Sequence, residues 1–137
     1  MTRWHPWRRA RDLHPDLVID CTRSLGHDTM GLVAERTIWL HSELTQAERR
    51  CTLTHELLHV EMPDAAEDHV ERETARRLIT VDQLVDAFQW LRHPDVHSLA
   101  DHLWVDPQTA ANRMRHLDPI EVAQIESATD GDWSWPA

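Results

Sequence analysis

The sequence has no tyrosine and no lysine, and it has only two cysteines. Without tyrosine, any chemistry that needs a phenolic hydroxyl must be done by another side chain. All 14 basic residues are therefore arginines. Cys21 and Cys51 are too few for a disulfide framework. Reduced thiols in a cytoplasmic protein are the expectation, with Cys51 facing a core. No apolar run approaches the ~18 residues of a membrane span. The basic start, MTRWHPWRRARD, lacks the apolar stretch of a secretory signal. A cytoplasmic chain without a membrane partner is expected.

What is present is acid. The 137 residues carry a formal net charge of −10, which does not draw a chain nonspecifically onto nucleic acid. The length suits one modest core.

The pattern along the chain predicts an α+β fold. PWRRARDL (6–13) reads as a short helix with Pro6 at its first position. LVIDC (17–21) reads as a strand, and LVAERTIWL (32–40) as strand with a tight reversal near Glu35–Arg36. Short connections suggest a small antiparallel sheet of two or three strands. Everything later reads as helix. Thr45 and Glu48 form a capping-box pattern that opens a helix over 46–62, which Pro63–Asp64 ends. A helix over 65–79 follows. Thr80 and Gln83 open the next, to about residue 92. Three more helices are expected near 95–104, from Asp106-Pro107 to 117, and from Asp118-Pro119 to 128. The expected division is a core over 1–92, a helical extension over 93–128 packed on it, and a mobile tail over 129–137.

The chemistry concentrates in HELLHVE, residues 55–61. His55 and His59 are four apart, so a helix sets both on one face, one turn apart. Two imidazoles so placed can bind one tetrahedral Zn²⁺, and Glu56 beside them can serve as general base. Three fixed positions are a weak pattern alone. The apolar Leu57, Leu58 and Val60 strengthen it, because a ligand-bearing helix must bury its other faces to hold the ligands rigid. Mn²⁺ and Fe²⁺ also suit two histidines and a carboxylate.

A third ligand is needed. The position that would carry histidine in a metzincin is Ala65, which excludes that class. Glu61, Glu67, Glu71 and Glu73 are the carboxylates at hand. Glu61 points away from the histidine face by about 200°. If the next helix packs antiparallel, Glu67 lies level with His59 and Glu71 level with His55, and geometry alone does not choose between them. His69 points away from the face those two share.

IWLHSELTQAERRCTLTHELLHVE (38–61) followed by EDHVERETARRLIT (67–80) resembles the ImmA/IrrE family of zinc metallopeptidases, gluzincin-like enzymes, over about residues 30–92. The resemblance places the family's third-ligand glutamate on Glu67, with Glu71 as its neighbour and the alternative ligand. It implies one Zn²⁺ per chain and a site-specific endopeptidase. The implied substrate is a helix-turn-helix repressor, or a related regulatory protein, of a mobile element. The family also implies that the substrate binds as an extended strand, for which residues 32–40 would supply the edge. The chain departs from the family pattern at Glu71, where a neutral residue is usual, and in the short interval from His59 to Glu67. His27, His41, His69, His93, His97 or a backbone N–H could steady the oxyanion.

LADHLWVDPQTAANRMRHL (99–117) has helix-turn-helix spacing, with Ala100, Val105, Thr109 and Leu117 at packing positions and Trp104 in the turn. Arg113 and Arg115 would then lie on a recognition helix. Charge opposes DNA: residues 95–137 carry eight acids against those two arginines. Nucleic acid is not an expected partner. The alternative to a peptidase is a metal-binding regulatory module with this helical pair and no activity. The arginine pairs at 8–9, 49–50 and 76–77 read as solvated faces, and Trp39 and Trp90 as core.

Overall fold

The computed structural model, which describes residues 3–136, contains three strands and seven helices. In chain order these are α1 (Pro6–Leu13), β1 (Val18–Asp20), β2 (Gly31–Ala34), β3 (Thr37–Leu40), α2 (Gln46–Glu61), α3 (Glu67–Leu78), α4 (Val81–Leu91), α5 (Val96–Leu103), α6 (Pro107–Arg115) and α7 (Pro119–Thr129). The α+β class holds, and every expected helix is present.

The sheet differs from the expectation. Its order is β1-β3-β2, with β2 and β3 antiparallel but β1 and β3 parallel. The short-connection rule applies to β2 and β3, which reverse at Glu35–Arg36 with Glu35 at φ 56°. It does not apply to β1 and β3, which are not consecutive. The polar loop between β1 and β2 is long enough to step across one strand position, and the hairpin then lays β3 in the gap. The most apolar strand thus takes the centre, where Ile38 and Leu40 are fully buried.

Two compact units make up the chain: Trp4–Thr74, and Arg3 with the residues from Ala75 onward. The break falls inside α3 rather than after residue 92. His93-Pro94 ends a helix without ending a core, because Pro94 is buried and α4 packs on both α5 and α7.

In the first unit, α2 lies against β2, β3 and α1. Ala10, Ile38, Leu40, Leu53 and Leu57 form its core, ringed by Leu17, Ile19, Val33, Leu44 and Val60. Gly31 is needed at the closest approach. A Cβ there would meet the Thr52 Cγ2 at 2.5 Å and the Trp39 carbonyl oxygen at 3.1 Å. Trp39 itself is only half-buried.

In the second unit, α7 packs on α4 and α6 on α5. Trp90, expected in the core, is 76% exposed, since Leu84, Ala87 and Phe88 occupy the buried face of α4. The stretch expected to be a mobile tail is tied down through residue 134. Asp130 and Gly131 both take positive φ and end α7, turning the chain back. Trp133 then stacks edge-on to Phe88 at 5.2 Å, and its indole N–H donates to the Glu126 carboxylate at 2.6 Å. His93 lies 2.8 Å from both Ser134 and Asp132.

Candidate metal centre

α2 forms where its sequence says it should. The Thr45 hydroxyl accepts from the Glu48 N–H at 3.1 Å, and the Glu48 carboxylate accepts from the Thr45 N–H at 3.0 Å. The two bonds close a capping box that satisfies donors the helix start would otherwise leave open. Farther along, Leu53, Thr54, Leu57 and Leu58 are fully buried. Burial of that face leaves His55 and His59 on the partly open side, with side chains 22% and 27% exposed.

Glu67, the first residue of α3, reaches both imidazoles. One carboxylate oxygen is 2.7 Å from the His55 Nε2 and the other 2.9 Å from the His59 Nε2. The two Nε2 atoms are 3.1 Å apart. Among the described residues, His55, His59 and Glu67 are the one group of histidine, cysteine or acidic side chains that could hold a metal ion. A tetrahedral ion with bonds of about 2.0–2.1 Å has ligand–ligand edges of about 3.3 Å. Taking one ligand atom from each residue, the three lie within 4.8 Å of one another, so an ion enters if the imidazoles move apart and the carboxylate turns one oxygen toward both. Two neutral imidazoles and one carboxylate are borderline donors that suit Zn²⁺ and leave a fourth position open. Glu67 is 60% exposed, so the centre lies at the surface.

Glu71, the alternative, is exposed and outside the group. Glu61 does point away: it pairs with Arg9 and His14. His69 is exposed and plays no part in the group.

Glu56 is 8% exposed beside the two ligands. Burial pushes its carboxyl above the ordinary carboxylate range. The imidazoles of His55 and His59 pull the other way, and the charge of Glu67 adds to the rise.

Of the residues considered as oxyanion donors, His41 is engaged locally, its Nδ1 accepting from the Glu43 N–H at 3.1 Å. His93 is committed to Asp132 and Ser134. None of the five histidines belongs to the metal group. The strand edge is narrower than residues 32–40, because β3 is bonded on both sides. Among the described residues β2 keeps one free edge. The Met30 carbonyl accepts from the His41 N–H at 2.7 Å. Alternation along an antiparallel pair therefore turns the peptide groups of Gly31 and Val33 outward.

α5 and α6 pack on each other. Ala100, Val105 and Thr109 are buried, whereas Leu117 is only partly so. Trp104 holds the turn at φ 61°. Arg113 is not a reading residue. It is 2% exposed, donates to the Ile79 carbonyl at 2.7 Å and forks onto Glu121. Of the two arginines only Arg115 faces solvent, which leaves the DNA reading without its main contact.

Two of the arginines expected on solvated faces lie elsewhere. Arg50 is buried and Arg9 is engaged, not solvated. Their partners lie about 50 positions away in the chain, and no local pattern signals such a pairing. No family model, curated protein or solved structure matches this chain.

Proposed function

We propose that this protein is a cytoplasmic, zinc-dependent endopeptidase that cuts a regulatory protein at a specific site, a helix-turn-helix repressor being the substrate class the sequence resemblance implies. The observation that carries the reading is the junction of a three-donor group, His55, His59 and Glu67, with a buried carboxylate, Glu56, that follows His55 on α2.

His55, His59 and Glu67 would hold the ion, which supplies a Lewis acid able to polarise a peptide carbonyl and to activate water near neutral pH. The chain's own work is proton movement and placement. Glu56 accepts the proton from the attacking water and passes it to the leaving amine. The outward peptide groups of Gly31 and Val33 offer a substrate strand a place to pair. No helix of the described chain is long and apolar enough to cross a membrane.

The test is cleavage of purified helix-turn-helix repressors, and of a proteome-derived peptide library, by zinc-loaded wild type beside Glu56→Gln. The wild type should cut and the variant should keep its zinc but lose cleavage. Cleavage by Glu56→Gln at the wild-type rate would sink the mechanism. A variant that binds zinc alongside a wild type that never cuts would favour a metal-binding regulatory module.

A further inference from the structure

We propose that the N-terminal segment from Trp4 to His14 is a brace that sets the metal-binding stretch of α2, with Trp4 and Arg9 as positioning residues. The inference rests on the reading of His55, His59 and Glu67 as a metal centre.

The segment grips both ends of the motif. At the front, the Trp4 indole N–H donates to the Thr54 hydroxyl at 2.9 Å, and Thr54 directly precedes His55. The same hydroxyl donates to the Arg50 carbonyl at 2.9 Å, and the buried Arg50 guanidinium donates back to the Trp4 carbonyl at 3.2 and 3.1 Å. At the rear, the Arg9 guanidinium forks onto Glu61 at 2.8 and 2.7 Å, and the His14 Nε2 lies 3.0 Å from the same carboxylate. Glu61 is two residues past His59. Arg9 also stands over the Trp4 ring at 5.2 Å, so the two grips are joined to each other.

His59 needs such support more than His55 does. It lies in the last turn of α2, where carbonyls lack partners within the helix and the backbone frays. Glu61 ends the helix with a negative charge, which the helix dipole disfavours there. Left alone it would loosen the turn. Forked onto Arg9, it fixes that turn to α1 instead.

A field effect and a positioning effect have opposite signs at Arg9. Arg9→Met removes a positive charge and keeps the aliphatic stem over Trp4. If only the local field mattered, a cation would bind more tightly. If Arg9 positions the ligands, it binds more weakly. Trp4→Phe removes the N–H donor, keeps an aromatic ring and changes no charge.

The experiment is zinc affinity of the full chain by competition with a chromophoric chelator, for wild type, Arg9→Met and Trp4→Phe. Thermal midpoints of the metal-free proteins and visible spectra of the cobalt(II) forms are recorded alongside. Both variants should bind zinc about 10-fold more weakly, the low end of the range for residues that orient metal ligands, and the cobalt bands should shift. Unchanged or tighter zinc binding by Arg9→Met, with only a lower thermal midpoint, would show a structural strut and overturn the proposal. Should Arg9→Met fail to fold, Trp4→Phe decides alone by the same two readouts. A wild type that binds no zinc would overturn the metal centre and the brace together, which separates that failure from failure of the brace alone.

Discussion

Gly31→Ala probes the contact that seats the sheet on α2. The new Cβ would come within 2.5 Å of the Thr52 Cγ2 and 3.1 Å of the Trp39 carbonyl oxygen. The first separation is impossible without movement, and the second is tight against backbone that β-pairing holds in place. Thr52 is 8% exposed, so its methyl cannot swing into solvent. The strand must lift off α2, three residues ahead of His55. Overpacking of this kind costs about 1–3 kcal/mol. Removing the obstructing methyl should recover most of that loss. Urea unfolding of wild type, Gly31→Ala, Thr52→Ser and the double variant measures the coupling. The expected result is a double variant more stable than Gly31→Ala alone, although Thr52→Ser by itself is mildly destabilising. Additive losses, or a harmless Gly31→Ala, would refute the close approach of β2 and α2.

Two further predictions concern charge. Burial holds the Glu56 carboxyl above its ordinary range, so above the unfolded pKa of about 4.3 its ionised form is less favourable in the fold than in the open chain. Metal-free Glu56→Gln should therefore melt at a higher temperature than metal-free wild type at pH 7, and the gap should close well below pH 4; a lower midpoint at pH 7 would contradict the burial argument. Hydrogen bonding from Arg113 holds the Glu121 carboxyl below its ordinary range, so that pair stabilises fully above the unfolded pKa and less as pH falls through the folded value. Arg113→Met should cost about 2–4 kcal/mol at pH 7, somewhat under the full penalty for breaking a buried pair, and the difference from wild type should shrink on acidification. A difference that holds constant from pH 7 to pH 3 would rule out the ion pair as its source.

Local signals carried the elements. Proline at the first helical position marked α1, α6 and α7, and capping boxes marked α2 and α4. Such signals act over three or four residues and are visible in any window that contains them. The four-residue spacing of His55 and His59 is of the same kind. Strand order was not legible, because the parallel pairing of Val18–Asp20 with Thr37–Trp39 is decided by which strand has most apolar surface to bury. Glu67 and Glu71 share a helix face one turn apart, and only the path of the Met62–Ala66 turn brings Glu67 onto both imidazoles. Arg9 and Arg50 looked solvated because their partners, Glu61 for Arg9 and Trp4 for Arg50, are remote in sequence. Arg113 looked like a reading residue because its partners lie outside its own helix, one of them the Ile79 carbonyl. Its carboxylate partner, Glu121, is on the next helix.

The most direct measurement is the metal content of purified wild type, Glu67→Ala and Glu71→Ala after exposure to zinc and removal of the excess. The proposed metal centre predicts one zinc per chain in the wild type, its loss in Glu67→Ala and its retention in Glu71→Ala. Wild-type protein that holds no zinc would contradict the metal centre, and loss in Glu71→Ala alone would contradict the placement of its third ligand.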